Sequence, residues 1–136
     1  MATHTRSFRL DEKLLARVGA RASEVGDSTN ALATRYLDEG LRRDSHPLLV
    51  FADRPGARRA MLAGTRLNVA DVIATARAAG SAEAAAETLD LPLGKVRAAL
   101  AYYAEFRDEV DTEIERDRRF AEREEARWRA ERSALA

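Results

Sequence analysis

A short run near the start of the chain, residues 5–10, alternates apolar and polar side chains. Phe8 and Leu10 share one face of the predicted strand, because successive strand side chains point to opposite faces. A lone strand cannot satisfy its own backbone donors and acceptors, so we expect a second copy from another chain to pair with it. Such an antiparallel ribbon fits the DNA major groove. The side chains on its other face are Thr5, Ser7 and Arg9.

Two segments of helical length follow the run, with apolar residues at three- and four-residue steps. The first is predicted to begin after Asp11, which can cap a helix, and to end at Gly26. The second is predicted to begin at Ser28 or Thr29 and to end near Arg43, where cations favour the helix terminus. An amphipathic edge strand that binds no ligand remains the alternative for residues 5–10 taken alone.

The order strand, helix, glycine-containing turn and serine-capped helix, over Thr5 to Arg43, resembles the ribbon-helix-helix repressors. The resemblance implies a dimer that reads bases with its ribbon and clamps phosphate with the start of the second helix, whose unpaired N–H groups attract anions. Asp27 departs from the apolar residue common at this turn and would weaken phosphate binding. The expected base contacts are Thr5, Ser7 and Arg9, and the expected phosphate contacts are Arg6, Ser28, Thr29 and Asn30.

A second unit is predicted to begin after a linker over residues 44–47, because Pro47 disfavours helix at the residue before it. Residues 48–52 form a strand candidate, and residues 53–56 have turn chemistry. We expect a small hairpin between residues 58–62 and 66–69. Three helices should follow, over Val69–Ala79 after the cap Asn68, over Ala82–Leu89 after the cap Ser81, and from Pro92 onward.

Residues 48–104 resemble a small uncharacterised domain, similar in shape to a helix-turn-helix, that recurs in antitoxins of the VapB type. Residues 62–67 and 96–103 carry the resemblance. Its candidate recognition helix offers only Lys95 and Arg97 as cations near its start, so a dimerisation or spacer role is the preferred interpretation and DNA binding the alternative. We expect Tyr102 and Tyr103 to lie in the core or at a subunit interface. Further candidate phosphate contacts are Arg54, Arg58, Arg59 and Arg66.

The last segment, residues 105–136, is dense in Glu and Arg and contains neither Gly nor Pro. Its apolar residues are sparse, so it is either a solvated tail or a helix that folds against a partner. The single Trp of the chain, Trp128, favours a partner, since Trp and Arg are preferred interface anchors. The candidate contacts are Phe120, Arg127, Trp128, Arg129 and Arg132.

Composition narrows the function classes. The chain has 136 residues, 23 basic and 23 acidic side chains, two histidines and no cysteine. These numbers argue against a disulfide scaffold, a thiolate metal site and a catalytic triad. No membrane-length apolar run, signal-peptide core or glycine-rich phosphate loop is present. We therefore expect a cytoplasmic, non-enzymatic protein without cofactor, metal, membrane or small-molecule substrate.

Taken together, the pattern predicts a mainly α protein. Its expected parts are a ribbon-helix-helix dimer domain (1–44), a small helix-turn-helix-like domain with a short β-hairpin (45–104) and a charged helical tail (105–136). The layout resembles type II antitoxins, which implies a homodimer that represses at double-stranded operator DNA and neutralises a cognate toxin. For the VapB type that toxin would be a PIN-domain ribonuclease, whose carboxylates an arginine can pair with. The rival is a stand-alone ribbon-helix-helix regulator whose tail mediates oligomerisation.

Overall fold

A computed structural model describes residues 2–136, which form two compact units. One unit ends at Asp44 and the other runs from Ser45 to Ala136. Over the described residues the chain is mainly helical, with six helices and one two-stranded antiparallel sheet. The elements are α1 (Glu12–Val25), α2 (Thr29–Ser45), β1 (Leu49–Arg54), β2 (Ala57–Leu62), α3 (Val69–Ala79), α4 (Ala82–Leu89), α5 (Leu93–Glu105) and α6 (Arg107–Ala134).

The two helices of the first unit are capped at the predicted residues. Asp11 accepts a hydrogen bond from Leu14 N at 3.3 Å, and Gly26 ends α1 in the left-handed region at φ 75°. Ser28 Oγ accepts from Ala31 N at 3.1 Å and so caps α2. The helix then continues to Ser45, two residues before Pro47, so the linker is shorter than predicted. These capping bonds are local, which is why the sequence pattern located them.

The first unit buries little of its apolar surface. Only Ala22 and Leu32 are buried in its two helices. Residues 2–11 have no regular secondary structure and are exposed, so the predicted strand over residues 5–10 is not formed within one chain. A strand needs a hydrogen-bonding partner, and the rest of a single copy supplies none. The exposed large apolar side chains of this unit are Phe8, Leu10, Leu14, Leu15, Val25, Tyr36, Leu37 and Leu41.

The second unit begins with a hairpin whose pairing differs from the prediction. β1 pairs antiparallel with β2, in a register that places Leu49 opposite Leu62 and Arg54 opposite Ala57. The hairpin therefore turns at residues 55–56, not at residues 63–65, and the prediction of a strand over residues 66–69 was wrong. Gly64 instead makes a second turn, after which the chain forms only an isolated bridge at Asn68 before α3 starts. Strand pairing ends at Asn68, because this residue is the N-cap of α3.

Three short helices cover the hairpin and enclose the core. α3 ends at Gly80, whose φ is 90°, and Ser81 Oγ caps α4 by accepting from Ala84 N at 3.0 Å. α4 ends at Asp90, and α5 follows Pro92, as the sequence predicts. The fully buried side chains of this core include Leu62, Val69, Val72, Ile73, Val96, Tyr102 and Val110.

α6 is divided into a packed and an exposed part. Val110 is buried and Ile114 packs against the core, so the first three turns belong to the second unit. We call this packed part, residues 107–117, the root of α6. Residues 105–136 were predicted to form a separate segment, but the first part of this segment packs against the core of the preceding domain. Every residue from Arg118 to Ala136 is exposed. At about 1.5 Å per residue, the 28 residues of α6 span about 42 Å.

Within residues 2–136, none of the helices combines the length and the apolar character that a membrane crossing requires.

Candidate functional site

The ribbon residues are solvent-exposed in the single chain. Thr5, Ser7 and Arg9, the expected base contacts, all lie in the segment before α1, as does Arg6. Phe8 is 70% exposed and Leu10 is 48% exposed, so the apolar face of the predicted strand is uncovered too. A single chain therefore does not gather these side chains into a site.

The start of α2 has the features of an anion clamp. Ser28 and Asn30 are exposed, and Thr29 is half-buried. Because Ser28 Oγ satisfies Ala31 N, the remaining donors of the first turn and the positive end of the helix dipole are left for an anion. The acidic Asp27 next to them lies 4.0 Å from the guanidinium of Arg35. That cation offsets part of the repulsion expected between Asp27 and a phosphate.

The second unit uses several of its candidate cations for structure. Arg54 donates to Arg66 O at 3.1 Å, and Lys95 Nζ donates to Ala63 O at 3.3 Å, so both hold the turn over residues 63–67. Arg58 pairs with Asp53 at 3.1 Å. Arg54, Arg58 and Lys95 therefore make contacts within the second unit.

Arg59 was predicted to contact phosphate, but it forms an ion pair within the second unit. Its side chain is buried, and its two terminal guanidinium nitrogens donate to Asp117, Nη1 at 2.8 Å. Glu113 Oε2 lies 4.0 Å from the same guanidinium. Burial raises the pKa of Glu113 to about 7, and the charge of Arg59 only partly opposes this shift. The cluster ties α6 to β2 rather than contacting a ligand.

A second cluster ties α6 to α3 and α5. Asp111 accepts from Arg77 at 2.7 Å and from Tyr103 Oη at 2.9 Å. The hydrogen bond from Arg77, and then that from Tyr103, holds the pKa of Asp111 below its ordinary value. Tyr102 is fully buried and its hydroxyl donates to Glu109 at 2.7 Å. The prediction that Tyr102 lies in the core is confirmed.

The expected partner-binding residues all lie on the exposed part of α6. Phe120 is 58% exposed and Trp128 is 54% exposed. The guanidinium of Arg132 stacks 4.8 Å from the centre of the Trp128 ring. Arg127 pairs with a glutamate one turn later at 3.3 Å, and Arg129 pairs with one a turn earlier. Such exposed pairs stabilise by less than about 1 kcal/mol, so they can be exchanged for a partner's groups.

The structure also aligns a row of four arginines, of which the sequence pattern singled out only Arg127, as a candidate partner contact. Arg116, Arg119, Arg123 and Arg127 are spaced i, i+3, i+7 and i+11, which places them on one face of α6. This spacing is visible in the sequence, but the four arginines share a face only because one continuous helix carries them all. We call this set the arginine row.

Among residues 2–136, no group of three or more His, Asp or Glu side chains is arranged to hold a metal ion. No protein-family model matches the chain, and searches of curated proteins and of solved structures find no similar protein.

Proposed function

We propose that the chain is a type II antitoxin that binds operator DNA as a homodimer through residues 5–43. Its C-terminal helix would neutralise a partner toxin, a PIN-domain ribonuclease by the resemblance described above. The observation that carries the proposal is the position of uncovered apolar surface. One such surface lies on the first unit, and the other surrounds Trp128 on α6.

The first surface supports a dimer. Two capped helices with only two buried residues cannot offset the entropy of ordering their own chain. A second copy would cover the exposed leucines of α2 and would supply the missing partner strand for residues 5–10. The resulting ribbon would present Thr5, Ser7 and Arg9 to the major groove, with the capped start of α2 beside a phosphate.

The second surface supports a protein partner. Trp128 is a large apolar side chain left half in water and stacked against a cation, which is typical of an interface anchor. Self-association through this face in a parallel pair is disfavoured, because Glu124 and Glu131 flank Trp128 and would face their own copies. These like charges disfavour the rival role of α6 as an oligomerisation tail.

The DNA half is tested by Arg9→Ala in the full-length chain. If Arg9 makes a bidentate contact to guanine, its loss costs about 1–3 kcal/mol of operator affinity. A gel-shift titration on the promoter upstream of the chain's own gene measures this. Lys13→Ala removes a neighbouring exposed cation from α1 and should change affinity far less. Equal affinity of Arg9→Ala and the unchanged protein would remove Arg9 from the base contacts.

The partner half is tested by co-expression with the product of the adjacent open reading frame. A truncation at Ala104 would be a poor test, since it removes Val110 and Asp117 from the packed unit. Trp128→Ala combined with Phe120→Ala leaves that packing intact and should abolish co-purification and rescue of growth. Leu48→Ala, at an exposed apolar position outside α6, serves as the control. A double variant that still protects the cell would refute the role of α6.

A further inference from the structure

α6 separates its charges by face. The face that continues the packed stripe of Val110 and Ile114 carries Asp117, Glu124 and Glu131 between its apolar residues. On the far side, from residue 116 onward, the helix carries the arginine row, and alanines at 126, 130 and 134 share that side. Residues three, four and seven apart share a helix face, so the side that carries Trp128 is acidic, whereas the side that carries the arginine row, together with Phe120, is basic. The zero net charge of the chain conceals this separation.

The arginine row is open to solvent along its length. All four side chains are exposed, those of Arg119 and Arg127 by 67% and 71%. Arg123 has no ion pair with any carboxylate among the described residues. Arg119 pairs with Glu115 at 3.1 Å, but Glu115 is also held by Arg118 at 2.6 Å. Arg119 can therefore exchange its ion pair with Glu115 for another anion, because Glu115 would still be paired with Arg118.

The row begins where the acidic start of α6 ends. Asp108, Asp111 and Glu115 lie beside Arg116 along the same shallow groove. Asp111 is already bonded to Arg77 and to a tyrosine hydroxyl, and Glu115 is bonded to an arginine outside the row. An anion would therefore approach from Arg116 toward Arg123, and Arg127 can join the contact by exchanging its exposed ion pair with Glu131, at 3.3 Å, for the anion.

We propose that the arginine row binds the phosphate backbone of duplex DNA, while the opposite face of α6 remains free for a protein. Protein interfaces have an apolar centre built around anchors such as Trp, whereas this face consists of arginines and alanines, with Phe120 as its one large apolar side chain. Such a face suits phosphate, which is bound by charge with no need for apolar burial. The four arginines extend over about 16 Å of helix, a length over which each DNA strand offers about five phosphates.

This contact differs in kind from that of the ribbon. Phosphate contacts carry no sequence information, so the row would raise affinity for operator and unrelated duplex alike. The inference rests on the proposed function for its choice of DNA as the polyanion. The two can still fail separately, because the ribbon is tested by the preference for operator and the row by binding to a random duplex.

The experiment uses the full-length protein and a labelled duplex of random sequence, titrated by fluorescence anisotropy over a series of salt concentrations. Replacing Arg116, Arg119 and Arg123 together by Gln should lower affinity at low salt by about tenfold or more. The slope of log affinity against log salt should become shallower by about 0.9 for each phosphate that the protein no longer neutralises, or about 3 for the triple variant. The corresponding triple Lys variant should keep most of the slope, since Lys binds phosphate as a point charge.

The matched comparison is Arg123→Gln against Arg118→Gln. Both remove one exposed cation from the same helix, but Arg118 lies off the row and is held between Glu115 and Glu122. Arg123→Gln should reduce the salt slope and Arg118→Gln should not. An unchanged slope in the triple variant, with α6 still helical by circular dichroism, would overturn the proposal. So would a triple variant that keeps DNA binding and loses the protein partner, since the row would then face an acidic protein surface.

Discussion

Glu113 is a carboxyl whose burial by the fold changes its pKa. The side chain is 11% exposed and 4.0 Å from Arg59, whose guanidinium is already engaged by Asp117. Burial therefore outweighs the attraction of the cation and raises the pKa of Glu113 to about 7. The nearby carboxylates of Glu109 and Asp117 raise this pKa further, while Arg59 and Arg116 lower it. The carboxyl is consequently easier to bury in its neutral form.

This raised pKa predicts that the second unit loses stability as pH rises. The folded pKa of Glu113 lies above its unfolded value of about 4.5, so the folded state holds the extra proton between these two values. The stabilisation is complete below about pH 4.5 and is lost as pH rises through 7, by at most about 3 kcal/mol. Urea unfolding followed by circular dichroism at pH 5 and pH 8 measures the difference.

Glu113→Gln removes the titrating group and should abolish this part of the pH dependence. Between pH 5 and pH 8, the free energy of unfolding of the variant should fall less than that of the unchanged chain. Glu122→Gln removes an exposed carboxylate of the same helix and should keep the dependence. Finding the same pH slope in Glu113→Gln would show that another group causes it.

At the scale of elements, local signals in the sequence located the helices. The caps Asp11, Ser28 and Ser81, and the terminating glycines Gly26 and Gly80, act within four residues of their own positions. A sequence therefore displays them directly. Strand pairing is different, because it depends on which partner the core brings alongside. The run 58–62 pairs along its length with β1 and only at Met61 with Asn68, and its own pattern could not decide between these partners.

The root of α6 was missed for a related reason. Its apolar residues are few, and a charged helix is interpreted as solvated when its partners are unknown. The hydrogen bonds from Arg59 to Asp117 and from Arg77 to Asp111 join residues far apart in the chain. The candidate site could likewise be predicted only in part from the sequence. The exposed anchors around Trp128 follow from composition, whereas the arginine row needed the length of one continuous helix.

Gly80 and Gly94 provide a test of the helix assignments. Gly80 ends α3 at φ 90°, a conformation that strains any residue with a Cβ, so Gly80→Ala should destabilise the second unit by about 1–2 kcal/mol. Gly94 lies within α5, and a Cβ there would meet nothing within 4 Å. Gly94→Ala should therefore stabilise by about 0.5–1 kcal/mol. Thermal unfolding of the full chain measures both, and a shift of the same sign in the two variants would contradict the assignments.

At the scale of the whole molecule, the two units differ in how completely a single chain can fold them. The second unit encloses a core of its own, built by α3, α4, α5, the hairpin and the root of α6. The first unit has well-capped helices and an uncovered apolar face, which the proposed dimer would cover. Stability of the first unit should accordingly vary with protein concentration, whereas that of the second should not.

Because of this difference, we expect a charge on α2 to disrupt the proposed dimer without unfolding the second unit. Leu41 is 68% exposed and Leu37, one turn earlier, is 60% exposed. Leu41→Asp would bury an unpaired carboxylate at the proposed subunit contact, which costs far more than the about 1.5–3 kcal/mol that burial of the leucine supplies. The dimer should dissociate in sedimentation equilibrium, and operator binding should disappear with it. Ala101→Asp, which adds the same charge at an exposed position of α5, should leave both unchanged. If the unchanged chain sediments as a monomer at every concentration tested, the apolar face of the first unit has another purpose and the ribbon cannot form.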